Sequence, residues 1–239
     1  RELFDILIRF TQRYPSRILI IAPELEPKQE NTPLQAKLFT ECYIGADLRD
    51  MCCVEVLMLA YDSSHKPFLE NQISVWLEND LPVYYWFHRM SAQSIREDFM
   101  PVIKWANRVI FDSSVEVDDY EILALPSNAI LRDLAYARTL PMRQALGQYL
   151  SSIPPADILD GLEQVNIYYR QEFVGEAKGL CQWFTSCLNR CQDPADQDKN
   201  PFSVRCESKE IEDTAIQISL SFRNYKEFTW CLELTGEHA

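Results

Sequence analysis

The chain has 239 residues, with 36 acidic against 23 basic side chains, a net charge of −13, 47% hydrophobic residues and 25% charged ones. These proportions exclude a disordered chain or a coiled coil, and the negative charge disfavours nucleic acid and membrane surfaces, which are gripped mainly by Lys and Arg. The six glycines form neither GxGxxG nor GxxxxGK[ST], so a conventional dinucleotide or Walker-A loop is excluded too.

From the N-terminus, Leu3, Leu7 and Phe10 share one face of an amphipathic helix over 2–13 that Pro15 stops. The run Arg17–Ala22 is too short and too Ile-rich for a helix and reads as a strand buried on both faces. A charged, proline-containing loop over 23–33 precedes two strands, 37–44 and 52–61. Pro67 fits the first turn of a helix whose stripe is Leu69, Ile73, Trp76 and Leu77. Buried strands at 81–87 and 108–112 flank a helix over 94–107, and 116–150 reads as helical with breaks at Pro126 and Pro141. This alternation predicts an α/β fold, Rossmann-like and layered, with a mainly parallel sheet.

Ser151-Ser-Ile-Pro-Pro155 is the expected linker between a domain over 1–150 and a smaller one over 156–239. Past it come a strand over 164–170, a helix over 175–189, a polar loop over 193–201, and alternating runs at 203–209, 215–223 and 228–235. Their period of two predicts a small α+β domain whose antiparallel sheet has one solvated face. The chain starts at Arg1 in mid-pattern, so residues upstream are expected to exist. With no signal peptide and no apolar run near ~18 residues, a cytoplasmic protein is expected.

The eight cysteines include no CxxC, and the expectation is reduced, buried thiols. A redox role is the alternative, for the Cys52–Cys53 pair or for Cys181, Cys187 and Cys191 on one helix. Three scattered histidines give no metal cage, so no metal and no cofactor are expected. The serines of Asp112-Ser-Ser114 lack the small-residue elbow of a nucleophile and fit the N-cap of a following helix. The carboxylates at Asp118–Asp119 and at Glu207, Glu210 and Glu212 are what an acidic chain yields by chance, and no catalytic set is assigned. Two segments stand out: the aromatic strand end running into His88 and Arg89, and Asp133-Leu-Ala-Tyr-Ala-Arg138 with Arg143.

These segments resemble the OpcA family of glucose-6-phosphate dehydrogenase assembly proteins. Tyr14-Pro-Ser-Arg17 is similar to its His-Pro-x-Arg, and Cys53-Val-Glu-Val to its strand after the first hairpin. Asp80-Leu-Pro-Val-Tyr-Tyr-Trp-Phe87 is similar to Asp-Leu-Pro-Val-x-x-Trp-Trp, and Arg108-Val-Ile-Phe-Asp-Ser-Ser114 to Arg-Val-Ile-x-Asp-Ser. Asp133-Leu-Ala-Tyr-Ala-Arg138 with Arg143 is similar to Asp-Leu-x-Trp-x-Arg followed by Trp-Arg. The resemblance covers about residues 14–150. Tyr14 stands for the family's His, and Phe87, Tyr136 and Met142 for its Trp, so three of the four keep a ring.

The resemblance implies a non-catalytic activator of glucose-6-phosphate dehydrogenase, in the oxidative pentose phosphate pathway, that promotes the active oligomer. Trp86, Arg89, Tyr136, Arg138 and Arg143 are the expected partner anchors. The alternatives are a small sugar-phosphate lactonase or isomerase, holding its anion with Arg89 and Arg138, and a cysteine-based redox regulator.

Overall fold

The computed structural model describes residues 2–14, 16–23, 35–44, 51–62, 65–77, 81–116, 123, 125–192, 202–211 and 213–233. The loops expected at 23–33 and 193–201 lie almost wholly outside these residues, as do Asp118, Asp119 and Glu212. The chain forms a mixed α/β structure of two compact units, Arg1–Leu81 and Pro82–Ala239. The linker expected at 151–155 falls inside the second.

In the first unit, helix α1 (Glu2–Arg13) precedes a three-stranded sheet of order β1-β3-β2, with β1 at Arg17–Pro23, β2 at Gln35–Ile44 and β3 at Met51–Tyr61. Strand β1 runs parallel to β3 and β2 antiparallel to it. The apolar run in β3 buries Val54, Val56, Leu57 and Leu59. Helix α2 (Leu69–Ser74) sets Leu69 and Ile73 inward, and the 3-10 turn before it carries Pro67 where a missing N–H costs nothing.

The second unit holds two sheets. The first, of order β4-β5-β6, is wholly parallel: β4 is Tyr84–Trp86, β5 Arg108–Phe111 and β6 Ile130–Asp133. The strand expected over 81–87 is shortened because Pro82 has no N–H for a ladder. Strand β6 lies inside the stretch expected to be helical; its short apolar run finds a ladder partner in β5, which overrides helix propensity. Between β4 and β5 the chain winds through α3 (Ala92–Ser94), one π-helical turn (Ile95–Phe99) and α4 (Met100–Ile103). Ile95, Phe99, Val102 and Ile103 are buried, as are Val109 and Phe87 in the sheet, with Phe87 and Phe99 edge to face at 6.2 Å.

Helices α5 (Leu134–Arg138), α6 (Leu140–Leu150) and α7 (Pro155–Leu159) lead to the last sheet, of order β10-β9-β7-β8. Its strands are β7 (Leu162–Tyr169), β8 (Ser203–Ser208), β9 (Thr214–Phe222) and β10 (Glu227–Glu233), with α8 (Val174–Cys191) between β7 and β8. The expectation of an antiparallel sheet holds for β7, β9 and β10 and fails for β8, which is parallel to β7. A helix joining two strands of one sheet carries the chain back to the same end, so the second strand must run with the first.

Ala177, Leu180, Phe184 and Leu188 recur at helical spacing along α8 and pack on Val165, Ile167, Ile216, Ile218 and Leu220 of that sheet. Each large apolar side chain buried here contributes about 1.5–3 kcal/mol. The other face of the sheet carries Gln164, Asn166, Gln217, Ser219 and Thr229. Among the described residues no helix is long and apolar enough to cross a membrane.

Candidate functional site

The strands β4, β5 and β6 end side by side in Phe87-His88-Arg89, Asp112-Ser113-Ser114 and Asp133, at the carboxyl edge of the parallel sheet. This is the edge at which α/β folds assemble their sites. Here a network of side chains ties the strand ends to α5 and α8.

Arg138, on α5, donates to both oxygens of Asp112, at 2.6 and 2.8 Å, and its Nε donates to Glu176 Oε1 at 2.7 Å. Asp112 and Glu176 are buried while the Arg138 side chain is half exposed. Burial by itself pushes the Asp112 carboxyl upward. The Arg138 hydrogen bonds and charge, the Ser114 amide and His88 outweigh it and hold the group below the usual carboxylate range. Arg138 is in turn held more firmly in its charged form.

The serines do not cap a helix that follows them in the described chain. Ser113 donates its N–H and Oγ to Asp133, at 3.1 and 2.7 Å, and Asp133 also accepts from the Ala135 amide as the N-cap of α5. Ser114 Oγ donates to Glu176 and accepts the Gly175 N–H at 3.1 Å. It therefore caps α8, a helix sixty residues further along the chain. Gly175 makes this possible: a Cβ there would lie 2.6 Å from both the N and the Oγ of Ser114.

Glu116, also buried, accepts the Asp112 N–H and the Arg89 N–H, each at 2.7 Å, and so ties the ends of β5 and β4 together. Arg89 has φ 54°, the left-handed region that a side chain seldom adopts; the Glu116 bond holds it there, with the Arg89 side chain exposed. Trp86 is half-buried, edge to face with His88 at 5.9 Å, and its shielded indole N–H has no hydrogen-bond partner among the described residues.

Arg143 lies over the Tyr136 ring, 3.8 Å from its centroid, and donates to the Tyr136 hydroxyl at 2.8 Å and its carbonyl at 3.2 Å. Gly179 of α8 faces that ring so closely that a Cβ would sit 2.8 Å from Cδ2. The five expected anchors thus divide: Trp86 and Arg89 stand at the end of β4, while Tyr136, Arg138 and Arg143 knit α5 to its neighbours. Of the two arginines expected to hold an anion, Arg138 is bound to two carboxylates and Arg89 has an exposed side chain.

The cysteines require a correction. Cys42 and Cys53, expected as thiols, are joined by a disulfide, because they lie directly opposite one another in the β2–β3 ladder. In the Cys52–Cys53 pair of the redox alternative, the Cys53 sulfur is therefore taken up by the bond to Cys42. Cys181, Cys187, Cys191, Cys206 and Cys231 are free. Burial pushes the Cys181 and Cys187 thiols up, and Cys206 up to about 12, which keeps them protonated.

Glu116, Gly175 and Glu176 escaped the reading of the sequence. Gly175 and Gly179, four apart and so on one face of α8, were the available signal of a close approach. In the first unit, Arg17 of the Tyr14-Pro-Ser-Arg17 motif pairs with Glu55 on β3 at 2.9 Å.

Residues 9–125 match the family model described as the glucose-6-phosphate dehydrogenase subunit N-terminal domain. No curated protein matches the chain.

Proposed function

Residues 9–125 belong to the OpcA family of glucose-6-phosphate dehydrogenase assembly proteins, and from that membership we propose that this chain is a non-catalytic, cytoplasmic factor that binds the dehydrogenase and promotes its active oligomer. The family match carries the reading. The carboxylates at the sheet edge are also in keeping with it: Asp112, Glu116, Asp133 and Glu176 each accept bonds from Arg138, a serine or the main chain. Groups so engaged brace a surface.

The mechanism is linkage. A protein that binds the active assembly better than its parts shifts the population toward that assembly by the difference in affinity. Trp86 and Arg89 are the proposed contact residues, since Trp and Arg dominate such interfaces. Tyr136, Arg138 and Arg143 complete the proposed surface from behind, by fixing α5 against the strand ends. The Rossmann-like layering belongs to the same proposal, with β4, β5 and β6 as its parallel core.

The test is to mix purified chain and dehydrogenase and follow both oligomer mass and turnover. Complex formation with a rise in the active oligomer is expected, weakened by Trp86→Ala or Arg89→Ala. A dehydrogenase whose mass and turnover ignore the chain would overturn the proposal.

A further inference from the structure

We propose that the outer edge of β10 is a docking site for an extended segment of a partner protein, one that carries Lys or Arg at each end of its strand. The site lies outside the residues that match the family, and it does not depend on the dehydrogenase being the partner.

Strand β10 stands at the end of its sheet, and among the described residues only β9 pairs with it. Which of its main-chain groups face outward follows from the hairpin that joins the two strands. Phe222 donates its N–H to the Lys226 carbonyl at 3.0 Å and Tyr225 to the Phe222 carbonyl at 2.9 Å, with Tyr225 left-handed at φ 63°. Residues 223–225 are thus the loop, and Phe222 and Lys226 are the closing hydrogen-bonded pair. In an antiparallel ladder such pairs alternate with unbonded ones. From the register, Phe228, Trp230 and Leu232 bond to β9, while Glu227, Thr229 and Cys231 turn their N–H and C=O away from the sheet.

A free edge is a template for another strand, and proteins blunt it with Lys, Pro or a covering loop. Residues 227–233 contain neither Lys nor Pro. Beside the edge runs a row of rings: Phe222 to Phe228 at 5.8 Å, Phe228 to Trp230 at 6.3 Å, and Trp230 to Tyr149 at 5.6 Å. Phe228 is 38% exposed and Tyr149 47%, so an added strand gains apolar contact as well as main-chain bonds.

Charge selects the occupant. The strand is bracketed by exposed Glu227 and Glu233. A second copy pairing antiparallel about Trp230 would set Glu227 against Glu233 at both ends, and like charges placed opposite destabilise a ladder. Two chains of net charge −13 also repel. A strand with cations at its ends meets both carboxylates instead.

The test uses the full chain and two capped heptapeptides, Lys-Val-Thr-Val-Thr-Val-Lys, whose valines lie on the ring face when its lysines meet the two glutamates, and its counterpart with Glu at both ends, followed by amide NMR. The lysine peptide should bind at least tenfold tighter and shift the Thr229 and Cys231 amides. Thr229→Pro, which removes an outward N–H and leaves the β9 ladder intact, should abolish this binding, and Thr229→Ala should keep it. Should Thr229→Pro fail to fold, Glu233→Lys decides, since it should erase the preference between the peptides. Equal binding of the two peptides, or undiminished binding by a folded Thr229→Pro, would overturn the proposal. So would Thr229 and Cys231 amides already protected from exchange in the free protein, which would give the edge to another segment of this chain. A concentration-dependent dimer lost in Thr229→Pro would give it to a second copy.

Discussion

Arg138 grips Asp112 at two points, 2.6 and 2.8 Å, and so fastens helix α5 to the end of strand β5. With its Nε on Glu176 the same guanidinium also reaches α8. Three elements that meet nowhere else in sequence are joined through one side chain.

Arg138→Ala should therefore cost stability, by leaving two buried carboxylates unpaired. About 2 kcal/mol is expected, below the ~3–5 of a fully buried pair because Arg138 is half exposed. Urea unfolding measures it. An unchanged midpoint, together with lost partner binding, would instead make Arg138 a contact residue.

The same pair sets an acid limb. Asp112 titrates below its unfolded value of roughly 3.9, so the folded state binds fewer protons than the unfolded state. Its contribution is full above that value and is lost as pH falls through the folded one. In Arg138→Gln, burial is left as the main influence on Asp112, and its contribution to the slope should change sign below about pH 5. Unfolding curves for both proteins between roughly pH 3 and 6 give the comparison; parallel curves would count against the pairing.

Two glycines should respond in opposite directions to alanine. Gly175→Ala drives a methyl into Ser114 and should destabilise by about 2 kcal/mol or more. Gly147, inside α6 with nothing within 4 Å of an added Cβ, should gain up to about 1 kcal/mol. Thermal melts of the two variants decide this.

Reduction should weaken the β2–β3 hairpin. The Cys42–Cys53 bond closes a separation of 11 residues, for which chain entropy gives about 3 kcal/mol. Melts with and without a phosphine reductant should differ, and Cys42→Ser/Cys53→Ser should show no such difference.

Thiol reactivity should follow exposure. Exposed Cys231 and Cys191 should be alkylated first at mildly alkaline pH, and Cys206, held near 12, last. Mass mapping after a short iodoacetamide pulse reads the order; early labelling of Cys206 would contradict its burial.

What the sequence revealed depended on range. The apolar runs at Arg17–Ala22 and 52–61, and the stripe from Ala177 to Leu188, announced their elements by apolar pattern, although only β3 and α8 bury theirs and β1 stays half-buried. Strand β6 did not, since four residues running straight into helix α5 carry no period, and only β5 beside them makes a strand. The parallel pairing of β8 was hidden likewise. At the sheet edge Arg138 and Asp133 were legible as unusual, but Glu116 and Glu176 looked like two more acids among 36. Their roles exist only once strand ends and helices are brought together. The disulfide was legible in neither composition nor spacing, because it follows from register.

The capping of α8 by Ser114 has a bearing on how this protein can be cut. The match to the family model runs over residues 9–125, yet Ser114, Asp112 and Ser113 find their counterparts at 133, 138, 175 and 176. A fragment ending at residue 125 would leave one arginine-seeking acid and two hydroxyls facing a void. The span of the match and the span of the network differ in this chain, and a dissection meant to yield a working piece should follow the second.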